Sequence, residues 1–251
     1  MSRTTLTALA TMTLLPACSS ALAEPTHLPD RSLYEAPRAA AAPTVDGRAD
    51  EASWQRASWR PIDQRWLGEA LTAEDFSGRF KVIWTPQQLF MLAEITDDVL
   101  HDSHRDPLVE YWNDDTLEFF VDADFSGGDH QFNHNAFAYH VALDNQAIDL
   151  DRSQSPRNYT QHVTSRWQQK GNVAVWELAI SVYDDQYIDG AEDNTPVTLK
   201  SGASLGFMVA YCDADFGSER EHFIGSEAMP GEDKNRGWID ASVFGQLVLG
   251  D

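Results

Sequence analysis

The sequence predicts an antiparallel β-sandwich of two sheets, jelly-roll-like or immunoglobulin-like, with short helical turns. Two observations support this prediction. At least seven short hydrophobic segments carry strand-type patterns with turn residues between them, and no long amphipathic helix pattern occurs. A chain of 251 residues is long enough for one domain with a substantial core.

The predicted strands follow one another along the chain, and the first two are close enough to form a tight hairpin at Pro86 and Gln87. A short helical turn precedes them and buries Trp54. The strand segments are 79–85, 88–96, 116–124, 136–144, 173–181, 203–215 and 245–251.

Alternation within the segment TLEFFVD separates two faces of a strand. Leu117, Phe119 and Val121 share one face, which predicts that they lie in the core. Glu118 lies on the opposite face, together with Phe120. The carboxylate is therefore expected on the side of this strand that faces away from the core.

The segment AFAYHVALD places a histidine between two small residues on one face. Ala138, His140 and Ala142 alternate with the larger residues of the opposite face. The small neighbours leave room for a ligand to approach His140. The alternative is a histidine that serves only as a structural hydrogen-bonding group.

The first 23 residues are typical of an export signal. Arg3 supplies the positive start, residues 6–17 form an apolar run too short to span a bilayer, and Ala-Leu-Ala ends the segment as a cleavage site. Residues 15–19 also resemble a lipobox, so the alternative is a lipoprotein signal that ends before Cys18. We expect an exported protein, periplasmic or extracellular, or one that is lipid-anchored through Cys18.

The remaining chain divides into a lead-in and one domain. Residues 24–42 are rich in proline and alanine and have no sustained period, as in a tether or an ordered lead-in. Residues 43–251 carry all the strand patterns and form the β-sandwich domain. No segment after the signal is apolar enough to cross a membrane. We expect a monomer.

The composition is strongly acidic, with 40 Asp and Glu against 18 Lys and Arg and a formal net charge of −22. This charge argues against nucleic acid as a partner, because phosphates are bound by Lys and Arg. Only two cysteines occur, so no disulfide is expected once Cys18 is lost or lipidated. Cys212 lies in the apolar run GFMVAYC, which predicts a buried, inert thiol.

Nothing in the sequence requires catalysis. Asp114, Asp115 and Glu118 offer the carboxylates that glycoside hydrolysis needs, but acids are abundant throughout this chain. The motifs G-x-S-x-G, H-E-x-x-H, G-x-G-x-x-G and Walker A do not occur. A noncatalytic protein is favoured, and the enzyme alternative is an O-glycosyl hydrolase.

The end of the strand segment 116–124, with the residues that follow it, resembles the front of an EF-hand. Asp122, Asp124 and Ser126 have the spacing of calcium ligands, but Asn133 occupies position twelve and a strand rather than a helix comes before. An EF-hand is therefore disfavoured. A structural calcium held by aspartates and a solvated turn both stay open at this loop.

The tryptophans fall into two classes. Trp84 and Trp176 lie inside predicted strands and are expected in the core. Trp112 and Trp238 lie in polar, turn-rich surroundings and either fold back onto the domain or face outward. An outward-facing indole can stack on the apolar face of a sugar, and carboxylates and amides can bind the sugar hydroxyls. Aromatic residues beside carboxylates therefore suit the recognition of carbohydrate.

Four segments, in order, resemble the family 9 carbohydrate-binding modules. They are PTVDGRADEASWQRA, FKVIWTPQQLFMLAEITDDVL, YWNDDTLEFFVDAD and RGWIDASVFGQLVL. The resemblance extends from Pro43 to Leu249 and implies a β-sandwich that binds a glucan, a xylan or an oligosaccharide of a plant-type polysaccharide.

The resemblance also implies roles for individual residues. It gives Trp112 and Trp238 as a clamp around the sugar, and Glu118 and Asn235 as contacts to its hydroxyls. It further implies structural calcium, with Asp97 as a ligand, and no organic cofactor.

His140 stands where the family can carry a sugar-contacting arginine, so a shorter, titratable donor is expected in its place. Two alternative functions stay open besides carbohydrate binding. One is a glycoside hydrolase-associated activity in polysaccharide breakdown. The other is a haem b-binding sandwich with Met91 or Met208 and histidines as ligands.

Overall fold

The computed structural model describes residues 31–251, and the predicted signal with Cys18 lies outside the described residues. The described chain folds into two β-sheets with short 3-10 turns at Ala52–Arg56, Arg236–Trp238 and Ala241–Val243. The strands are β1 (Leu33–Ala36), β2 (Arg60–Ile62), β3 (Gln64–Leu67), β4 (Phe76–Trp84), β5 (Leu89–Asp97), β6 (Thr116–Asp122), β7 (Phe137–Ala142), β8 (Ala147–Leu150), β9 (Pro156–Asn158), β10 (Val163–Lys170), β11 (Val173–Ile180), β12 (Ser204–Asp213), β13 (His222–Gly225) and β14 (Gly245–Leu249). The predicted fold class is confirmed.

The larger sheet has the order β1-β14-β12-β6-β7-β8-β9, and β13 and β3 extend it from β12. The smaller sheet has the order β10-β11-β5-β4-β2. Among the strands of residues 31–251, all pairs are antiparallel except β1 with β14, which is parallel. Part of the Pro/Ala-rich segment 24–42 thus lies in a sheet as β1.

The main core lies between the two sheets. Leu117, Phe119 and Val121 of β6 pack there, as their alternation predicts. Trp84 and Trp176 lie in the same core and are almost completely buried. The hairpin of β4 and β5 turns at Pro86 and Gln87 as predicted, with Thr85 and Gln88 exchanging backbone hydrogen bonds. Burial of large aromatic and aliphatic side chains is the main stabilising contribution to such a sandwich.

A second apolar cluster covers the outer face of the larger sheet. Phe120, Ala138 and Cys212 come from its central strands, and Trp66 and Phe223 come from β3 and β13. Because β3 and β13 and the following loops lie over this face, it is partly enclosed rather than open to water. No helix of residues 31–251 is long and apolar enough to cross a membrane.

Candidate functional site

A cavity of about 450 Å³ lies on the outer face of the larger sheet. Its walls combine aromatic, charged and small side chains: Tyr111, Trp112, Glu118, Phe120, Ala138, His140, Asp149, Leu150, Gln154, Pro156, Arg220, Phe223, Asn235 and Trp238. All five residues predicted to bind a ligand are in this set. The structure therefore brings together groups that are as much as 126 positions apart in the sequence, from Trp112 to Trp238.

Strand register places the polar groups of the cavity floor beside one another. Glu118 of β6 is paired with His140 of β7 on one side and with Ala210 of β12 on the other. Cys212 lies two residues further along β12 and therefore faces the same side. Glu118 Oε1 lies 2.8 Å from His140 Nε2 and accepts a hydrogen bond of 2.8 Å from Cys212 Sγ.

His140 is held between two acceptors. Its Nδ1 lies 3.2 Å from the carbonyl oxygen of Ala138, and its Nε2 faces the Glu118 carboxylate. Since both ring nitrogens must donate in this arrangement, the geometry fits the doubly protonated imidazolium. The Tyr111 ring meets the imidazole edge-on, with 4.7 Å between ring centroids.

Glu118 is ionised although it is only 1% exposed. Burial by itself would raise the pKa of Glu118, but His140, Arg220 and Cys212 stabilise the carboxylate and hold its pKa below the usual value. These groups all approach Oε1. No residue of the described chain donates a hydrogen bond to Oε2, which leaves this oxygen as an acceptor on the cavity side.

Arg220 supplies a cation that the sequence analysis did not assign to this site. Its Nη1 donates to Cys212 Sγ at 3.0 Å and lies 3.8 Å from Glu118 Oε1, and its Nη2 donates to Asn235 Oδ1 at 2.6 Å. The guanidinium also lies 4.1 Å from the centre of the Phe223 ring. The cavity therefore contains an arginine in addition to His140, and the correspondence of His140 to the family's arginine stays a prediction.

Trp112 forms one wall and is 39% exposed. Its ring meets Tyr111 edge-on at 5.0 Å, and Tyr111 in turn packs on His140. Two aspartates that follow hold this loop in place: Asp114 accepts from the backbone of Ser103 and His104, and Asp115 accepts from the backbone of His101 and Ala214. Both aspartates, which the sequence offers as carboxylates for glycoside hydrolysis, anchor this loop through backbone hydrogen bonds.

Trp238 forms a second wall from the 3-10 turn Arg236–Trp238 and is half-buried. Two contacts fix this turn. His130 Nε2 lies 2.9 Å from the carbonyl oxygen of Gly237, and Asp240 accepts from the Arg236 guanidinium. Asn235 caps this turn, and its side chain contacts Arg220. Trp238 and Asn235 therefore reach the cavity from one short segment.

Asp149 is a second carboxylate in the cavity. Its Oδ2 accepts from the backbone N–H of Ala138 at 2.8 Å, and its Oδ1 accepts from that of Leu150 at 2.7 Å. Burial raises the pKa of Asp149 to about 7, and the negative charge of Glu118 acts in the same direction. The sequence gives little indication of this residue, because β8 is only four residues long.

A separate acidic cluster lies at the end of β5 and β12. One carboxylate oxygen from each of Asp97, Asp115 and Asp213 falls within 4.8 Å of the others, and all three side chains are buried. Burial, reinforced by repulsion from neighbouring aspartates, raises the pKa of Asp97 to about 6, of Asp213 to about 7 and of Asp115 to about 9. Asp213 Oδ1 is buried and has no hydrogen-bond partner among the described residues.

This cluster fits a hard divalent cation. Oxygen ligands from several aspartates are what calcium prefers, and a buried oxygen without a partner is otherwise costly. The EF-hand-like loop offers a poorer fit. Asp122 there accepts hydrogen bonds from the backbone N–H groups of Asp124 and Gly127, as in a turn closed on its own backbone.

Comparisons with known proteins agree on one relationship. The sequence model of the family described as "Carbohydrate family 9 binding domain-like" matches residues 45–251. The chain is similar to the exoglucanase XynX of Acetivibrio thermocellus, with 26% identity over 213 residues, and to endo-1,4-beta-xylanase A of Thermotoga maritima, with 24% identity over 208 residues. Each alignment covers 82% of this chain but only 16% and 17%, respectively, of the relative.

A solved structure has a similar fold. It is a carbohydrate binding module of family 9 from Caldicellulosiruptor kristjanssonii in complex with cellotriose, with a TM-score of 0.63 and 19% identity. The similarity covers 87% of this chain and 94% of that chain.

Proposed function

This chain belongs to the carbohydrate family 9 binding domain-like family, and we propose that it is an exported, noncatalytic module that grips a sugar of a plant-type polysaccharide or oligosaccharide between Trp112 and Trp238. The observation that supports this function best is that both tryptophans line one cavity together with Glu118, Asn235 and His140. The family resemblance and the cellotriose complex of a similarly folded module point to β-linked glucose chains as the first ligands to try.

The proposed contacts follow from the atoms that remain free. The two indole faces stack on the apolar C–H faces of the sugar, and Glu118 Oε2 accepts a hydrogen bond from a hydroxyl group. Asn235 uses its side-chain oxygen for Arg220, so its amide nitrogen is the group left for the ligand. His140 orients Glu118 through Nε2 and contributes to the sugar surface with its ring edge.

The alternatives have less support from the same geometry. In the hydrolase alternative, Glu118 would be a catalytic carboxylate, yet its Oε1 is already engaged by His140 and Cys212. In the haem alternative, Met91 and Met208 would be ligands, but both are fully buried in apolar clusters and neither lines the cavity.

Calorimetry with cellotriose tests the clamp. We expect wild type to bind, and Trp112→Ala and Trp238→Ala each to lose about 1–3 kcal/mol, which is roughly a 5- to 150-fold weaker affinity. Trp59→Ala is the matched control, because Trp59 is half-buried outside the cavity and packs on Arg79 and Lys81.

Three results would count against this assignment. Equal affinity of wild type and both cavity variants would remove the tryptophans from the site. A complete lack of glycan binding by folded wild type would reject the function. Hydrolysis of cellotriose or xylan that disappears in Glu118→Gln would instead support the hydrolase alternative.

We further propose that the buried cluster of Asp97, Asp115 and Asp213 holds a structural calcium ion. The unpartnered oxygen of Asp213 and the repulsion among three buried carboxylates support this proposal. Apart from His222, whose Nδ1 lies 2.9 Å from Asp213 Oδ2, no basic side chain of the described residues pairs with these carboxylates, and the ion would supply the remaining positive charge. Asp115 lies three residues after Trp112 and would link the ion to that loop.

A further inference from the structure

Besides Tyr111, four charged or titratable side chains line the cavity: Glu118, His140, Asp149 and Arg220. The sum of their charges affects which ligands the cavity favours. Glu118 lies on the floor, between His140 on β7 and Arg220 from the loop before β13. One ionised carboxylate thus faces two cationic groups, the imidazolium that the two acceptors around His140 require and the guanidinium. This trio by itself carries one excess positive charge.

Asp149 is the group that can cancel this excess. It lines the same cavity, and its carboxyl group is fixed by two backbone N–H groups rather than by a cation. No ion pair formed by the described residues includes Asp149. Its negative charge is therefore available to the cavity as a whole, and when it is ionised the four groups sum to zero.

We propose that Asp149 balances the charge of this cavity and thereby selects uncharged saccharides over sugar acids. This inference rests on the proposed carbohydrate-binding function and names the substrate class of that same site. Without the Asp149 charge, a carboxylate on the ligand would meet the excess positive charge of His140 and Arg220. With that charge present, a sugar carboxylate gains no net attraction and loses its hydration on entry.

The protonation state of Asp149 makes this selection pH-dependent. Burial raises its pKa to about 7, so the carboxyl group is mostly protonated at pH 6 and mostly ionised at pH 8. The other titratable or charged groups around it are Glu118, His140, Arg220, Tyr111, Tyr139 and Tyr159. Burial raises the pKa of each tyrosine, and Glu118 and Arg220 keep their charges, so none of these groups changes charge between pH 6 and pH 8.

The test compares two ligands of nearly equal shape. Sodium glucuronate and the methyl ester of glucuronic acid differ in one charge, and each is measured by its displacement of bound cellotriose in calorimetry. At pH 8 we expect wild type to bind the ester at least about tenfold more tightly than glucuronate. At pH 6 this ratio should shrink severalfold, because Asp149 then carries a proton.

Asp149→Asn assigns the effect to this carboxyl group. In this variant we expect the ratio to fall about tenfold at pH 8 and to depend much less on pH. Asp144→Asn is the matched control, because Asp144 loses the same charge from the exposed turn of the same hairpin and does not line the cavity. Its ratio should equal that of wild type.

The possible results distinguish a wrong role for Asp149 from a failure of carbohydrate binding itself. If wild type binds cellotriose but Asp149→Asn keeps the wild-type ratio, the charge-balance role is wrong and carbohydrate binding stands. If wild type binds no saccharide, both fail. If Asp149→Asn does not fold, the pH series on wild type decides, and a ratio that stays constant from pH 6 to pH 8 overturns the inference.

Discussion

Cys212 is hydrogen-bonded to both Glu118 and Arg220 on the cavity floor. Burial raises the pKa of the Cys212 thiol well above its usual range, so the neutral S–H group donates to Glu118 Oε1. The sulfur also accepts from Arg220. With Oε1 engaged in this way, the carboxylate is turned so that Oε2 is left for a ligand. The thiol was predicted to be buried and inert, and its burial is confirmed, but its place beside Glu118 makes it a positioning residue.

We expect Cys212→Ser to preserve this arrangement and Cys212→Ala to disturb it. Serine keeps a donor and an acceptor, whereas alanine leaves Glu118 and Arg220 each without one hydrogen bond. Removing one partner of a buried polar group costs about 1–3 kcal/mol. The alanine variant should bind cellotriose about 5- to 150-fold more weakly by calorimetry, and the serine variant should stay within about threefold of wild type. Equal losses in the two variants would mean that the sulfur only fills space.

Individual site residues were predictable where a strand pattern identified their face. Glu118 and His140 could be placed on one side of their strands because apolar neighbours alternate with them. Arg220 and Asp149 could not, because one lies in the polar loop before β13 and the other in a four-residue strand. Neither has a pattern around it, and only the folded chain brings them to the cavity.

At the level of elements, β13 and β3 support one side of the cavity, because Phe223 lines it and Trp66 packs against Phe223. Trp66 of β3 packs edge-on against Phe223, with 4.7 Å between ring centroids, and its indole N–H donates to the Glu227 carbonyl oxygen. The Trp66 ring lies directly against Gly225 of β13. A Cβ atom at this glycine would come within 1.9 Å of the ring, which is far inside contact distance. The close approach of β13 to this indole therefore requires glycine at position 225.

We expect Gly225→Ala to destabilise the fold by about 2–4 kcal/mol, because a rigid ring or the backbone must shift. Urea unfolding followed by tryptophan fluorescence would measure this loss. Gly237→Ala is the matched control, because its added Cβ atom approaches mainly the flexible end of Met208, at 2.7 Å. The control should lose about 1 kcal/mol or less. A Gly225→Ala variant as stable as wild type would show that Trp66 can move without cost.

Element prediction succeeded for strands with a long apolar or alternating pattern and missed the strands without one. All seven predicted segments contain an observed strand, because each carries a long apolar or alternating pattern. The strands β2, β3, β9 and β13 have three or four residues and no period that a sequence window can recognise. Strand β10, VTSRWQQK, is mostly polar and partly exposed, so its packing against β11 decides its conformation.

At the scale of the whole molecule, buried histidines and buried aspartates make the free energy of unfolding depend on pH in opposite directions. Burial lowers the pKa of His130 to about 4 and of His162 to about 3, below the value of about 6.5 in an unfolded chain. The unfolded state therefore binds more protons below pH 6.5, and stability is lost as the pH falls toward 3.

The acidic cluster acts in the opposite direction. The pKa values of Asp213 and Asp115 are raised to about 7 and about 9, above the value of about 3.9 in an unfolded chain. The folded state therefore holds protons that the unfolded state has released, and stability falls as the pH rises through this range. The histidine contribution is nearly complete only about one pH unit above 6.5, so the window from about pH 7.5 to 8.5 reports mainly the buried carboxylates. Asp122 and Asp149, whose pKa values burial raises to about 7, contribute to it in the same direction as the cluster.

We expect the free energy of unfolding in EDTA, followed through the melting temperature, to fall from about pH 7.5 to 8.5 by up to about 1.4 kcal/mol per pH unit for each proton held. In millimolar calcium the fall should be reduced or reversed, since a divalent cation binds the ionised carboxylates and not the protonated ones. Calcium should therefore stabilise the protein more at pH 8.5 than at pH 6.5.

Two variants assign this effect to the cluster. Asp213→Asn removes the charge beside the unpartnered oxygen, so it should weaken the response to calcium and flatten the slope in EDTA. Asp185→Asn removes the same charge from an exposed position and should behave as wild type. A wild-type protein whose melting curve at pH 8.5 is identical in EDTA and in calcium would show that the cluster holds no calcium. A fall with pH that persists in EDTA would then mean that protons alone keep these three aspartates together.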